Sequence, residues 1–179
     1  VAYVTNPAPL HIKTAILLSR NNVHLFIEKP LSDQLAGIDE LQKSCASRGL
    51  RLMVGYVLRF LESLQLVRTA LYRGEIGKPL SLRIEVGQYL PDWRPSMGYR
   101  QSVSAQKKLG GGAVLELSHE LDYARWLMGD VESVHASVRK QSELDIDVED
   151  MVEAVIEFKS GVVGSIHLDM YQKPATRYC

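Results

Sequence analysis

The sequence has 179 residues, with 21 basic and 21 acidic side chains that leave no formal net charge. This balance and the lack of a Lys/Arg cluster argue against a nucleic-acid partner, and the apolar runs are far too short to span a membrane. The two cysteines, Cys45 and Cys179, form neither a disulfide framework nor a metal-binding spacing. We therefore expect a cytoplasmic globular protein.

Apolar strands alternate with helices over the first third of the chain. Strands are predicted over residues 1–5, 23–27 and 50–56, and helices over residues 9–21 and 32–49. In the second helix, Ser32 is a candidate N-cap and Leu35 belongs to the apolar stripe. Strands that are apolar almost throughout are typical of a parallel sheet that helices cover on both faces. Three such strands would leave two bare edges, so we expect further strands upstream of Val1.

The apolar run of the second strand ends in Glu28, Lys29 and Pro30. Ligands of open α/β sheets bind at the carboxyl ends of the strands, so Lys29 is well placed for chemistry. The proline favours an extended backbone at Lys29, and a cis Lys29–Pro30 bond is open to this pair. The alternative is a strand that the proline terminates, with the lysine side chain in solvent.

The hydrophobic pattern changes after residue 58. A helix is predicted from Arg59 to Arg73. Apolar and polar residues then alternate over residues 82–86, 134–138, 152–158 and 162–170, with a hairpin turn at residues 159–161. Such alternation is typical of an antiparallel sheet with one face in solvent. We therefore predict an α/β fold with a parallel-sheet domain over residues 1–57 and an α+β domain over residues 58–179, whose sheet is open and mostly antiparallel.

A long excursion, residues 90–129, interrupts the strands of the second domain. It begins with Pro-Asp-Trp-Arg-Pro, in which Trp93 offers an apolar face for a sugar ring and Arg94 offers directed hydrogen bonds. The alternative is an ordered surface loop that Trp93 anchors.

Three consecutive glycines, residues 110–112, precede a predicted helix that carries Glu116, His119 and Asp122 at three-residue spacing. A carboxylate one turn from a histidine can orient the ring and support the imidazolium, which suggests an acid–base pair. The alternative is a structural histidine that bonds a backbone group.

Taken together, these stretches resemble the Gfo/Idh/MocA family of NAD(P)-dependent oxidoreductases. The matching residues are 4–7 with His11, Glu28 to Pro30, 54–56 followed by 59–60, 74–77, and 110–112 with His119 and Asp122. The resemblance covers essentially the whole chain. It implies the last part of a Rossmann domain followed by an α/β domain. The sheet of the α/β domain would form the interface of a homodimer or homotetramer. Residues 88–95 and 117–123 resemble a bacterial branch linked to surface-sugar pathways.

The resemblance implies hydride transfer between NAD or NADP and a hydroxyl or keto carbon of a sugar, nucleotide sugar or cyclitol. It implies no metal. Lys29 would lie against the reacting hydroxyl, and His119 would donate or accept the proton, with Glu116 as its partner. The implied cofactor contacts are Thr5, Asn6, Pro7, His11, Glu28, Lys29 and Pro30. The implied substrate contacts are Arg59, Trp93, Arg94 and Asp122.

Three departures from the family pattern accompany these matches. Leu115 and Leu117 stand where the family usually has Asp and Gly, and Val57 and Leu58 stand where a polar residue is expected. No GxGxxG loop is present, so we expect these 179 residues alone not to bind NAD tightly. The alternatives are a non-catalytic sugar or dinucleotide sensor on the same fold and an inactive fragment of a longer protein.

Overall fold

The structure is a computed structural model that describes all 179 residues. Its first unit is a parallel three-stranded sheet, as predicted, with the strand order β1-β2-β3. The elements are β1 Ala2–Val4, α1 His11–Arg20, β2 Leu25–Ile27, α2 Ile38–Ser47 and β3 Leu52–Val54. Both helices pack on one face, and the side chains buried there are Val4, Ile12, Ala15, Leu25, Ile27, Leu41 and Cys45.

The prediction that helices cover both faces of this sheet is wrong for the described residues. A hydrogen bond of 2.8 Å between the hydroxyls of Ser19 and Ser44 joins α1 to α2, which lie side by side. On the opposite face, Tyr3 and Met53 are 74% and 43% exposed. The strand order explains this arrangement, because two successive right-handed crossovers in one direction place both helices on the same face.

The second helix begins later than the sequence predicted. Its N-cap is Gly37, not Ser32, and Leu35 is 87% exposed instead of buried. Gly37 has a φ of +81°, and a Cβ added there would lie 2.6 Å from Ile12 Cγ2. The close approach of α1 therefore fixes where α2 starts, while the Ser32 hydroxyl accepts a hydrogen bond from the Gln34 amide in a local turn.

The second unit is built on a mixed five-stranded sheet with the order β5-β6-β7-β4-β8. Its elements are a 3₁₀ turn Val57–Phe60, α3 Glu62–Tyr72, β4 Ser81–Gly87, α4 Ala113–Glu116, α5 Ser118–Met128, β5 Val131–Arg139, β6 Met151–Phe158, β7 Val163–Asp169 and β8 Thr176–Tyr178. None of the helices in the chain combines the length and apolar composition that a membrane crossing needs.

Strand β4 departs from the predicted pairing. It is antiparallel to β8, a strand that the sequence analysis did not predict, but it runs parallel to β7. The alternation of Leu82, Ile84 and Val86 reports only that one face is buried, and this holds for either strand direction. The sheet remains mostly antiparallel, because the β5–β6 and β6–β7 pairs run as predicted.

Helix α5 and the irregular segment before it cover one face of this sheet. Even-numbered residues of β6 and β7, such as Ile156 and Leu168, are buried with Leu117 and Tyr123. The odd-numbered residues lie on a face that carries no helix, where Val155 is 46% exposed. The covered face thus fixes α5, which carries His119, against the sheet.

Two leucines near α2 test the observed start of that helix. Leu41→Ala removes a side chain that is 1% exposed and is expected to lower the free energy of unfolding by about 2–5 kcal/mol. Leu35→Ala serves as the matched control and is expected to change it by no more than about 0.5 kcal/mol. Urea unfolding followed by circular dichroism measures both free energies. Equal losses of stability in the two variants would support the predicted start of the helix at Ser32, with Leu35 buried.

Candidate active site

Lys29 joins the two units of the molecule. It lies two residues after the end of β2, and its Nζ donates a hydrogen bond of 2.8 Å to the main-chain oxygen of Glu116, at the end of α4. The side chain is half-buried, which differs from the alternative of a lysine in solvent. The Lys29–Pro30 peptide bond is cis. The carboxyl end of the parallel sheet therefore faces the α4–α5 segment, and Lys29 lies between them.

A cleft of about 470 Å³ opens beside this contact. Lys29 from the first unit lines it together with His119 from the second. The other lining residues come from the end of β4, the excursion and β8, and they are Val86, Gly87, Gln88, Trp93, Glu116, Leu117, Ala175, Thr176 and Arg177. The cleft thus combines an ammonium group, an imidazole and an aromatic face.

The imidazole of His119 is uncharged near neutral pH. Burial, together with the positive charges of Lys29 and Arg177, lowers its pKa to about 4 against the opposing effect of Asp122. The ring contacts Tyr56 edge to face, with centroids 5.7 Å apart, and its Nδ1 is buried without a hydrogen-bond partner. With Nδ1 enclosed, Nε2 is the ring nitrogen left to face the cleft.

Glu116 is not the partner of His119 that the sequence suggested. Its Oε2 accepts a hydrogen bond of 2.9 Å from the buried Ser104 hydroxyl, and no hydrogen bond joins it to the imidazole. The reason is a break in the helix at Leu117 (φ −101°, ψ 24°), which separates α4 from α5. Three-residue spacing across this break no longer stacks the two side chains on one helix face.

Arg59 and Asp122, both predicted to contact substrate, bind each other. Two hydrogen bonds of 2.7 Å connect the guanidinium to the carboxylate, and they raise the pKa of Arg59. The pair fastens the Val57–Phe60 turn to α5. Its charges are thus already paired, and the predicted substrate contacts of the two residues stay predictions.

The two candidates in the excursion separate in space. Trp93 lines the cleft, and its Nε1 donates a hydrogen bond of 3.0 Å to the main-chain oxygen of Gln88. Arg94 is exposed and does not line the cleft. Of the two predicted sugar-binding residues in this motif, Trp93 lines the same cleft as Lys29 and His119, and Arg94 lies outside the cleft.

The residues predicted to contact a cofactor follow β1 and β2, and one of them, His11, begins α1. Asn6 donates its amide to the Thr14 hydroxyl at 3.1 Å, which leaves Asn6 Oδ1 buried without a partner. A hydroxyl or amide group of a dinucleotide is a donor of the kind this acceptor lacks, so the site fits such a group. Thr5 is exposed, and Pro7 is half-buried beside Asn6.

His11 has a positioning role in the structure. It is 1% exposed, and its ring nitrogens lie 2.9 Å and 2.6 Å from the main-chain oxygens of Pro30 and Asn6. Both nitrogens therefore contact the protein, and neither is left for a ligand. Glu28, the remaining candidate, places its carboxylate against Gly55 after β3.

The glycine turn before α4 needs its glycines for space. Gly112 has a φ of +105°, and a Cβ there would collide with the Glu149 carboxylate, which accepts a hydrogen bond of 3.2 Å from the Val114 amide. A Cβ on Gly111 would collide with the main-chain oxygen of Val103. The tight turn lets α4 approach β2, so that the Glu116 carbonyl reaches Lys29.

Sequence reasoning missed an ion pair at the other wall of the cleft. Glu120, which follows His119, is fully buried, and its Oε1 lies 2.9 Å from Nε of Arg177. Burial raises the pKa of Glu120, against the opposing charges of Arg177 and Lys29. No sequence signal marks Arg177, because β8 is three residues long and offers no readable period.

Family models match both units of the chain. Residues 1–56 match an oxidoreductase family with an NAD-binding Rossmann fold, and residues 64–178 match the Gfo/Idh/MocA C-terminal domain. The chain belongs to the Gfo/Idh/MocA family. This agrees with the resemblance seen in the sequence, and it assigns the parallel sheet of this Gfo/Idh/MocA chain to a Rossmann fold.

Named relatives fall in the same family. Myo-inositol 2-dehydrogenase of Thermotoga maritima is 33% identical over 87% of this chain and 45% of its own length. The WlbA dehydrogenase of Bordetella pertussis, solved with NADH and UDP-GlcNAcA, superposes with a TM-score of 0.85 at 28% identity over 97% of this chain and 49% of its own. A levoglucosan dehydrogenase solved with NADH gives a TM-score of 0.87 at 25% identity over 98% and 49%. The chain spans about half the length of the curated relatives it matches.

The charge state of His119 can be measured by NMR. We expect its imidazole to titrate near pH 4, and Lys29→Met to raise this pKa because a positive charge disappears. His167 is the internal control: burial lowers its pKa, but hydrogen bonds to Asp169 and Glu153 outweigh this and raise it above 6.5. Its titration should not respond to the substitution at Lys29.

The same shift sets a pH dependence of stability. The pKa of His119 is lower in the folded protein than its ordinary value of 6.5, so the unfolded chain binds the proton more readily. The contribution of His119 is therefore complete above pH 6.5 and is lost as the pH falls toward 4. A pKa of His119 at or above 6.5 in the folded protein would contradict the described burial.

Proposed function

We propose that this chain supplies the catalytic cleft of an NAD(P)-dependent oxidoreductase that acts on a hydroxyl or keto carbon of a sugar, nucleotide sugar or cyclitol. The observation that carries the proposal is that Lys29 and His119, from separate units, line one cleft. An ammonium that binds the hydroxyl oxygen and a neutral imidazole that can take its proton are the two groups that alcohol oxidation needs.

The chain's own residues divide the work. Lys29 is held by the Glu116 carbonyl and can direct its other hydrogens to the substrate oxygen. Nε2 of His119 accepts the hydroxyl proton during oxidation and returns it during reduction, a role typically worth about 10²–10⁴-fold in rate. Asn6 and Lys29 are the residues that would hold NAD or NADP, which when bound would supply the acceptor or donor of the hydride.

The substrate class has two supports. Trp93 offers an apolar face in the cleft on which a sugar ring can stack. The structural relatives were solved with UDP-GlcNAcA and with levoglucosan, which are a nucleotide sugar and a sugar derivative. Whether Arg59, Asp122 and Arg94 contact the substrate stays a prediction, as does the domain boundary at residue 57.

We further propose that the outer face of the second sheet joins copies into a homodimer or homotetramer. No helix covers this face, where Val155 and Val163 are 46% and 48% exposed. They border a shallow depression of about 440 Å³. The cytoplasm is the proposed location, because both cysteines are free thiols.

Substitution of Lys29 tests the proposed activity in the full-length gene product. Lys29→Ala is expected to lower turnover of an accepted sugar by about 10²-fold or more, because the hydroxyl loses its charged partner. Lys43→Ala, at an exposed position of α2, is the control and should leave turnover unchanged. Cofactor-linked absorbance measures the rate, and calorimetry verifies that the variant still binds cofactor.

Two outcomes would contradict the assignment. Retained turnover in the Lys29→Ala variant would remove the lysine from the mechanism. A wild-type protein that binds cofactor and sugars but transfers no hydride across a sugar panel would be a sensor.

The assembly proposal is tested by a matched pair of valines. Val155→Lys places a charge on the outer face and is expected to shift the particle to monomers, as measured by size exclusion with light scattering. Val138→Lys makes the same change at a position that is 48% exposed on the other side of the sheet, and should leave the mass unchanged. If the Val155→Lys variant stayed oligomeric while Val138→Lys became monomeric, the proposed face would be wrong.

A further inference from the structure

The ion pair between Glu120 and Arg177 indicates which sugars the cleft prefers. We propose that Arg177, positioned by Glu120, binds a carboxylate group of the substrate, so that sugar acids bind more tightly than neutral sugars. The inference rests on the proposed function, because it assigns a substrate group to the same cleft. It concerns two residues that have no part in the proton transfer.

The two side chains are held very differently. Glu120 is fully buried on α5, whereas the Arg177 side chain on β8 is 48% exposed and lines the cleft. A buried carboxylate needs a charged partner, and Nε of Arg177, 2.9 Å from Glu120 Oε1, supplies it. Glu120, which does not line the cleft, thus pairs with the Nε end of the guanidinium group.

The outer edge of the guanidinium is unused. Its two terminal nitrogens, Nη1 and Nη2, make no hydrogen bond within the protein, and the contact of Nε with Glu120 Oε1 is an ion pair at 2.9 Å. A planar guanidinium presents parallel N–H groups that match the two oxygens of a carboxylate. Since Glu120 restricts the orientation of Arg177, little side-chain freedom remains to be lost when such a ligand binds.

The electrostatics of the cleft favour an anion. Lys29 and Arg177 both act on the neighbouring imidazole as positive charges, since each lowers the pKa of His119. Glu116, the carboxylate on the cleft lining, directs its Oε2 to the Ser104 hydroxyl. Trp93 can stack on the sugar ring while Arg177 receives its acidic substituent, because both line the same cleft.

Two ligands that differ only in charge test the proposal. D-Glucuronate and its amide, D-glucuronamide, are titrated into the full-length protein by calorimetry. We expect glucuronate to bind at least about tenfold more tightly than glucuronamide, because a charge-assisted hydrogen bond contributes a free energy of this size. D-Glucose 6-phosphate is a third arm, and tighter binding of this phosphate than of glucuronate would overturn the carboxylate assignment.

Conservative variants identify the residue responsible. Arg177→Lys keeps a positive charge opposite Glu120 but removes the fork, and is expected to reduce the preference for glucuronate at least about fivefold. Glu120→Gln keeps the shape of the anchor without its charge and should also reduce it. Arg100→Lys, at an exposed Arg100–Asp145 pair of 2.7 Å, is the matched control and should leave the preference intact.

The remaining outcomes are decisive. Equal binding of acid and amide, or binding of neither, overturns the inference, and so does an Arg177→Lys variant that is folded by circular dichroism and keeps the full preference. In that last case Arg177 only neutralises Glu120. Hydride transfer to neutral sugars alongside any of these results would leave the proposed function intact, whereas the absence of hydride transfer from every sugar would overturn that function separately.

Discussion

The hydrogen bond from Lys29 Nζ to the Glu116 carbonyl is the contact on which the cleft depends. It joins the carboxyl end of the parallel sheet to helix α4 of the second unit, and its two residues are 87 positions apart in the sequence. The acceptor is a main-chain oxygen, so it places no requirement on the side chain at position 116. The contact therefore needs a backbone that comes close enough, and the glycine turn at 110–112 permits that approach.

Charge in the cleft follows from burial as much as from composition. A chain with no net charge places an ammonium and a guanidinium near one half-buried imidazole, and burial together with these two charges lowers the pKa of the imidazole. The nearby carboxylates are paired with arginines: Asp122 binds Arg59, and Glu120 pairs with Arg177. The cleft can then hold a neutral proton acceptor next to a cation, which two exposed side chains of the same types would not achieve.

Sequence periodicity predicted most of the helices and strands. Residues whose environment depends on distant contacts or on a local break in helical geometry were harder to predict. The parallel β-α-β-α-β unit and the alternating strands followed from burial patterns, and Lys29 followed from its place after a strand. Leu35 was misplaced because the start of α2 depends on the contact between Gly37 and Ile12, which is distant in sequence. The Glu116–His119 pair failed because one residue, Leu117, leaves helical geometry. Arg177 lies in a strand too short to show any pattern.

The buried ring of His11 has a consequence for how Lys29 is held. By contacting the carbonyls of both Asn6 and Pro30, it links the loops after β1 and β2 into one hydrogen-bonded piece. Lys29 is therefore restrained at its backbone by this piece and at its ammonium by Glu116. The conformational entropy of ordering the lysine is lost when the chain folds and not when a substrate arrives. Preorganisation of this kind lets binding energy act on the substrate instead of on the enzyme.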